Sequence, residues 1–211
     1  MTSDESTTQQ EAETARLEAL WAGEFGDQYV ERNADAGAVR GAFWDEILRL
    51  TNPLSALEVG CNVGANLRWL ADGERRVVGV DVNQSALAVL EREVSGATGV
   101  EAPARSLPFA DKEFDLTFTM GVLIHQPEES LGAVMDEMVR CSRRFVLVGE
   151  YHGSETEEVP YRGVSGALFR RDYGALFLDR FPTLRQVESG FLGRDDGWDD
   201  VTWWLFERGE E

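Results

Sequence analysis

The stretch LEVGCNVGANL, residues 57–67, most constrains what this chain can fold into. Apolar residues lead into a turn that contains Gly60 and Gly64, and a helix-like run follows. A buried strand followed by a glycine turn and a helix is typical of a nucleotide-binding loop in an α/β sheet. A dinucleotide loop reads G-x-G-x-x-G, however, and Asn62 stands where that pattern has its second glycine.

Short apolar runs and helical patterns alternate along the chain on both sides of this turn. Strands are predicted at 55–60, 75–82, 99–104, 113–123 and 143–151, and helices at 65–71, 84–94 and 129–142. Such alternation predicts a parallel sheet that is covered by helices on both faces.

The two ends of the chain add further elements to this sheet. Helical spacing of apolar residues precedes it over 15–33 and 38–50. After a helix at 170–181, strands at 184–192 and 200–208 can add to the sheet edge as an antiparallel pair. The predicted fold class is therefore α/β, a Rossmann-like, doubly wound, mostly parallel seven-stranded sheet with a C-terminal antiparallel hairpin and N-terminal helices.

Length and cysteine content limit the classes of protein to which the chain can belong. Its 211 residues suit one domain over 16–211, which we expect to follow a disordered acidic arm over 1–15. The chain has neither an apolar run of roughly 20 residues nor a secretory signal pattern. Cys61 and Cys141 form no disulfide framework and no metal-type spacing, so we expect a cytoplasmic protein without a metal.

The formal net charge of −19 argues against free nucleic acid and anionic membranes as partners, since both require a basic face. Lys112 is the sole lysine among the 20 basic residues. Acid-rich, lysine-poor sequences are typical of proteins from a high-salt cytoplasm, so we expect a halophilic protein. A GC-rich genome would also favour arginine, but it would not explain the acidity.

The glycine turn favours a cofactor that has no pyrophosphate. A side chain at position 62 would crowd a pyrophosphate but not S-adenosylmethionine (SAM), whose product is S-adenosylhomocysteine. Glu58 can accept from the SAM ammonium, Asp81 from both ribose hydroxyls, and the helix after the turn can bind the SAM carboxylate. Cofactor-binding residues assigned on this basis are Glu58, Gly60, Cys61, Asn62, Gly64, Asp81 and Val82.

The glycine turn is also compatible with a short-chain dehydrogenase, but the chain lacks the catalytic motif of that class. Such enzymes need Tyr-x-x-x-Lys, and Pro108 stands four residues before Lys112. The simplest reading without any cofactor is that the glycines make a tight turn and Asp81 caps a helix. The ordered combination of strand, turn and acidic residues favours SAM over that reading.

The segment ARSLPFADKEFDLTFTMGVLIHQPEE, residues 104–129, extends this pattern. With it, the chain resembles the class I SAM-dependent methyltransferases. The resemblance implies that Ser106 and Leu107 lie by the adenine and that Met120 borders the cofactor. It also implies that the N-terminal helices form a lid, from which Tyr29 can contact the SAM carboxylate.

Three further segments are similar to a narrower family, the pseudaminic acid biosynthesis-associated methylases. They read WAGEFGDQYVERN, EYHGSETEEVPYRG and DDVTWWLFER, and the similarity runs from about residue 21 to 208. The resemblance implies methylation of an oxygen or nitrogen on a nonulosonic-acid-type sugar or its nucleotide-activated form. The alternatives are a methyltransferase for another small metabolite or natural product, and a SAM-binding protein without catalysis.

Candidate catalytic residues are His125 after the fourth strand and Glu150 and Tyr151 at the end of the fifth. Each also has a structural reading: His125 can bond the backbone, Glu150 can be a buried carboxylate paired with an arginine, and Tyr151 can pack under the insertion that follows. Tyr161 and Arg162 are the candidate substrate-binding residues, because tyrosine can stack on a sugar ring and arginine binds carboxylate or phosphate. Arg162 can instead pair with the acidic ETEE run.

The remaining polar residues of this region are expected to be structural or solvated. His152 stands beside a glycine in a loop, and Arg170 and Arg171 precede a helix. The expected partner is a small-molecule substrate, on a monomer or homodimer.

Overall fold

The computed structural model of the chain describes residues 3–32, 39–164 and 166–209, and for 3–10 and 31–32 it describes the backbone alone. The helices are α1 (Ser3–Ala22), α2 (Glu24–Arg32), α3 (Gly41–Thr51), α4 (Gln84–Glu93), α5 (Glu128–Cys141) and α6 (Tyr173–Arg180). The strands are β1 (Ser55–Val59), β2 (Arg76–Asp81), β3 (Ala97–Glu101), β4 (Phe114–Met120), β5 (Ser142–Glu150), β6 (Glu157–Glu158), β7 (Phe169–Arg170), β8 (Leu184–Leu192) and β9 (Val201–Arg208).

Seven of these strands form one sheet in the order β3-β2-β1-β4-β5-β9-β8. The first five strands of the chain pair in parallel, β9 is antiparallel to β5, and β8 is antiparallel to β9. The predicted fold class is confirmed. Strand order reverses between β1 and β4, and ligands of such sheets bind at the carboxyl ends of the strands beside that reversal.

Apolar side chains fill a layer on each face of the sheet. One layer joins β-strand residues to α5 and α6, and the other joins them to α3 and α4. The apolar stripe of the helix predicted at 84–94 is buried, with Leu87, Leu90 and Val94 exposed by 8%, 0% and 3%. Trp203 and Trp204 lie in opposite layers, as the alternation of side chains along a strand predicts.

The N-terminal region is more helical than the sequence predicts. α1 begins at Ser3, so most of the stretch predicted as a disordered arm is part of a helix. Thr14 and Leu17 are buried, and this packing stabilises a helix whose sequence has little amphipathic pattern. The helix predicted over 15–33 is divided at Gly23. α1 ends at Ala22 and α2 begins at Glu24.

The segment after β1 differs from the prediction in a way that affects the site. In place of the helix predicted at 65–71, the chain forms turns and a short 3-10 helix, Leu67–Trp69. Gly64 precedes it with φ +75°, a left-handed conformation that interrupts helical geometry. Because no α-helix begins here, the site lacks the helix N-terminus that was expected to bind the SAM carboxylate.

None of the described helices combines the length and the apolar character that crossing a membrane requires.

Candidate functional site

A cavity of about 670 Å³ lies at the carboxyl ends of β1, β2 and β4, beside the reversal of strand order. Its wall is completed by α1, α2, the loop after β4, the segment after β5 and the connection between β8 and β9. The volume is within the range of roughly 300–1,000 Å³ that is usual for small-molecule sites.

The glycine turn forms the floor of this cavity. Gly60 has φ +73°, and a Cβ added there would lie 2.2 Å from Val122 Cγ2. The N–H groups of Gly60 and Cys61 both donate to the carbonyl of Val80, at 2.8 and 2.9 Å. Gly60 is therefore required by a positive φ and by a close approach of the β4 loop.

Asn62 adopts the left-handed conformation, with φ +46°. Asparagine tolerates this region better than most residues other than glycine. Its backbone N–H donates to Asp81 Oδ2 at 2.8 Å. The residue in place of the second glycine thus keeps a glycine-like backbone and adds a polar side chain to the cavity wall.

Asp81 lies at the end of β2 and links the turn to α4. It accepts from the N–H groups of Asn62 and Asn83, the second at 3.0 Å. Burial raises the pKa of Asp81, while these N–H groups act in the opposite direction. A carboxylate has about four acceptor positions, so it can still accept from ligand hydroxyls.

Glu58 is a buried carboxyl on the cavity wall and is 1% exposed. Asn66 Nδ2 donates to Glu58 Oε1 at 2.7 Å, whereas Glu58 Oε2 and Asn62 Oδ1 are buried without a hydrogen-bond partner. Burial raises the pKa of Glu58 to about 8, against the effects of Asn66 and Arg40. Because unpaired buried acceptors are costly, Asn62 Oδ1 and the ionised form of Glu58 favour a ligand that donates hydrogen bonds. An ammonium group would do so and would also favour that ionised form.

Most of the assigned cofactor-binding residues lie on the cavity wall, which comprises Tyr29, Glu58, Gly60, Cys61, Asn62, Asp81, Val82 and Met120 among others. Gly64, Ser106 and Leu107 do not line the cavity. A Cβ at Gly64 would lie 2.2 Å from Leu90 Cδ1, so this glycine allows α4 to pack closely. Leu107 is buried and its N–H donates to Glu137, and in place of these residues Ala102 and Ala104 face the cavity.

His125 lies on the cavity wall and is 9% exposed. Its Nδ1 is bonded to the carbonyl of Ala167, which only accepts, so Nδ1 carries the proton and Nε2 the lone pair. Burial lowers the pKa of His125 to about 4, so the ring is neutral at neutral pH. Its ring centroid lies 4.6 Å from that of Trp21 and 5.1 Å from that of Tyr161.

Glu150 does not lie on the cavity wall, contrary to its assignment as a catalytic residue. It is fully buried and accepts from the N–H groups of Val122, Leu123 and Ile124 at 3.1, 2.9 and 3.2 Å. Burial raises its pKa to about 7, while these N–H groups oppose the shift. Its role in the structure is to hold the loop that carries His125. The alternative reading is right about the burial, but among the described residues the partners are N–H groups and not an arginine.

Tyr151, Tyr161 and Arg162 all line the cavity. Burial raises the pKa of Tyr151 well above its usual range, so its phenol stays neutral and can donate a hydrogen bond. Arg162 has φ +50° and its guanidinium carbon lies 5.8 Å from the centroid of the Tyr161 ring. Within the described residues, the alternative ion pair between Arg162 and the acidic run is not formed.

Several residues of the cavity were not predicted from the sequence. Arg40, Asn66 and Trp198 line it and contact one another or Glu58. Asn83 Nδ2 donates to the carbonyl of Trp21 and to Asp27 Oδ1, both at 3.1 Å, and so ties α1 and α2 to the end of β2.

His152 and Arg170 also line the cavity, although the sequence suggested solvated or structural positions. His152 Nε2 lies 3.9 Å from Asp172 Oδ2. Arg171, by contrast, is 2% exposed and donates to the carbonyl of Gln126, which is a structural role.

The central part of the sequence matches a known family of domains. Residues 56–144 match the family described as a methyltransferase domain. This partial match agrees with the methyltransferase class that the sequence predicts.

Curated relatives match part of the chain, and solved structures match most of it. The tRNA U34 carboxymethyltransferase of Shewanella frigidimarina is 34% identical over 107 residues, which are 45% of this chain and 32% of the relative. This chain thus spans about a third of the length of that relative.

Two solved structures share the fold over almost the whole chain. One is the Burkholderia thailandensis 1,6-didemethyltoxoflavin-N1-methyltransferase with its substrate and S-adenosylhomocysteine, with a TM-score of 0.72 at 16% identity over 91% of this chain and 88% of that one. The other is the magnesium protoporphyrin IX methyltransferase of Synechocystis PCC 6803 with S-adenosylhomocysteine, with a TM-score of 0.70 at 13% identity over 92% and 99%. None of these three proteins is described as acting on a nonulosonic sugar, so the narrower resemblance stays a prediction.

Proposed function

We propose that the chain binds SAM in this cavity and transfers its methyl group to an oxygen or nitrogen of a small acidic molecule. The observation that carries the proposal is the pair of buried, unpaired acceptors, Glu58 Oε2 and Asn62 Oδ1. They line the same cavity as Asp81, within the residues that match the methyltransferase family. An ammonium group for the first pair and ribose hydroxyls for Asp81 would satisfy all three side chains.

SAM, when bound, supplies a methyl group on a sulfonium, which a nucleophile can take by in-line displacement. The chain then has to orient the acceptor and exclude water, and a base can help to remove a proton. Neutral His125 offers the lone pair of Nε2 for that purpose, and the buried carboxylate of Glu150 fixes the loop that holds it. Tyr151 and Tyr161 offer ring faces and hydroxyl donors to the acceptor.

Two arginines support an acidic acceptor. Arg162 and Arg170 line the cavity, and among the described residues neither has a carboxylate within ion-pair distance. The chain has 39 acidic and 20 basic residues, so guanidinium groups left without a carboxylate are informative here. A nonulosonic-acid-type sugar offers a carboxylate, and its nucleotide-activated form adds a phosphate, both of which arginine binds.

A nucleic-acid acceptor, as in the curated tRNA-modifying relative, is disfavoured by the charge of this chain. A net charge of −19 opposes the phosphate contacts on which most affinity for nucleic acid depends. Small-molecule acceptors, as named for the two solved structures, suit a cavity of about 670 Å³ better.

Calorimetry with SAM and NADH, each at low and high KCl, tests the cofactor. We expect micromolar binding of SAM and S-adenosylhomocysteine and none of NADH. Binding of NADH, or of neither, would contradict the proposal.

Transfer from methyl-labelled SAM to N-acetylneuraminic acid and to its CMP-activated form then tests the acceptor class. Label in the sugar fraction that falls at least about tenfold in an Arg162→Gln variant would support an acidic sugar acceptor. Tight SAM binding without label in either sugar would support the proposed cofactor and exclude these two sugars as acceptors.

A further inference from the structure

Arg40 is a cation on the cavity wall that forms no ion pair with a described carboxylate, although Glu58 and Asp199 act on it electrostatically from a greater distance. Its Nε donates to the carbonyl of Gly197 at 3.1 Å, and its guanidinium carbon lies 3.9 Å from the centroid of the Trp198 ring. Among the residues that the structure describes, no Asp or Glu oxygen lies within 4.0 Å of it. Because desolvated charges are normally paired, Arg40 favours an anionic partner from outside the described chain.

Asn66 connects this cation to the buried carboxyl of Glu58. Arg40 Nη1 donates to Asn66 Oδ1 at 3.0 Å, and Asn66 Nδ2 donates to Glu58 Oε1 at 2.7 Å. Glu58 Oε2 has no partner. A guanidinium has five N–H donors, so most of those on Arg40 are not used by its two hydrogen bonds. One end of this row of side chains thus lacks a donor, and the other lacks an anion.

The other arginines of the cavity wall differ from Arg40. Arg105 is ion-paired with Glu18 at 2.7 Å, and Arg194 lies 3.5 Å from Asp200. Arg162 and Arg170 are solvent-exposed and belong to the segment that follows β5. Arg40 is the one of these five that is partly buried, held by hydrogen bonds and stacked on an indole ring.

We propose that Glu58, Asn66 and Arg40 form a site for a zwitterionic amino-acid group, with the ammonium at Glu58 and the carboxylate at Arg40. The inference rests on the proposed function, since SAM is the ligand that would bring this group into the cavity. Arg40 takes the place of the helix N-terminus that was expected to bind the SAM carboxylate. It is a residue that positions the cofactor and takes no part in methyl transfer.

The carboxylate of SAM can be removed chemically, which makes the assignment of Arg40 testable without any acceptor. Calorimetry would compare SAM with decarboxylated SAM, which keeps the ammonium and the sulfonium, for wild type and an Arg40→Met variant. We expect Arg40→Met to lower the affinity for SAM by at least about 30-fold and the affinity for decarboxylated SAM by less than about threefold. Arg40→Lys keeps the charge without the planar donors, so its affinity for SAM should lie between those of wild type and Arg40→Met.

Arg68→Met provides the matched control. Arg68 is exposed, does not line the cavity, and lies close enough to Arg40 to influence its pKa. We expect it to leave both affinities within about threefold of wild type. Such a result separates a general loss of positive charge from the loss of a direct contact.

Three outcomes would overturn the assignment. If Arg40→Met bound SAM as tightly as wild type, or lost both ligands equally while melting as wild type does, Arg40 would not contact the carboxylate. If wild type bound neither ligand, the proposed function itself would fail and the assignment with it. Wild-type affinity for SAM therefore separates failure of the cofactor from failure of Arg40.

Discussion

The backbone N–H of Asn62 donates to Asp81 Oδ2 at 2.8 Å, so the turn after β1 and the acid at the end of β2 are directly bonded. The bond requires the left-handed backbone of Asn62, with φ +46°. It also orients the carboxylate that we assign to the ribose hydroxyls. The departure from the dinucleotide glycine pattern thus keeps the geometry of that pattern and adds the unpaired acceptor Asn62 Oδ1.

An Asn62→Gly variant should keep the fold and lose part of the cofactor affinity. Glycine adopts positive φ readily, so the bond to Asp81 and the melting temperature should be preserved. Loss of Oδ1 should weaken SAM binding roughly five- to tenfold, as expected for one hydrogen bond to a charged group. An Asn62→Val control should instead lower stability by roughly 1–3 kcal/mol, because a β-branched residue is strained at this φ. Equal melting of all three proteins would show that the backbone here is not constrained.

Stability should depend on pH through Glu58. Its pKa is raised by burial to about 8 in the folded chain, from about 4.5, so its contribution to stability is fully present below about pH 4.5. The contribution is lost as the pH rises through about 8, because the folded protein then has to hold a buried carboxylate. A Glu58→Gln variant cannot ionise and should therefore unfold at a higher temperature than wild type at pH 8.5, and at a similar one at pH 4.5.

The change in stability of Glu58→Gln and its change in SAM affinity can be measured on the same variant. One pKa unit corresponds to about 1.4 kcal/mol, so we expect Glu58→Gln to gain roughly 1–3 kcal/mol at pH 8.5. The same variant should lose SAM affinity by roughly 100-fold, since an ammonium would face a neutral amide. A variant that gains stability and keeps SAM affinity would contradict the role of Glu58 but not the pH dependence.

Removal of the Glu150 carboxyl should lower the stability of the fold and should not affect methyl transfer directly. Glu150→Ala leaves the N–H groups of Val122, Leu123 and Ile124 without their acceptor, at a cost of roughly 3 kcal/mol or more in the free energy of unfolding. Glu150→Gln keeps one carbonyl oxygen and should cost less. Urea unfolding measures both, with the exposed Glu157→Ala as control. Loss of methyl transfer in Glu150→Gln at unchanged stability would restore the catalytic assignment.

The fold could be predicted because its signals are local. Strand and helix periodicity identified the strands of the sheet, including the two that add to its edge near the C-terminus. Glu58 and Asp81 could be assigned because parallel strands in sequence bring their ends to one edge of a sheet.

The residues that were missed are those whose contacts join distant parts of the chain. Arg40 bonds the carbonyl of Gly197, 157 residues away, and Asn83 bonds Trp21, 62 residues away. No periodicity or motif marks such pairs. Glu150 was misassigned for a related reason, because its position at a strand end does not reveal that the neighbouring loop folds over it and supplies three N–H donors.

Salt should stabilise the folded chain if its acidity reflects a high-salt environment. At a net charge of −19, repulsion between acidic groups destabilises the compact state, and ions screen it over about 10 Å at 0.1 M and about 3 Å at 1 M. The melting temperature should therefore rise steadily between 0.1 and 2 M KCl, as followed by circular dichroism.

A charge-reduced variant distinguishes this screening from a general effect of concentrated salt. Glu74, Glu91 and Glu129 are exposed, and in the described part of the chain none of their side chains forms an ion pair. Their combined replacement by glutamine should raise the melting temperature at 0.1 M KCl and reduce its further rise with salt. A wild-type melting temperature that stays flat up to 2 M KCl would reject the halophilic interpretation, and an equal slope in both proteins would attribute the rise to something other than net charge.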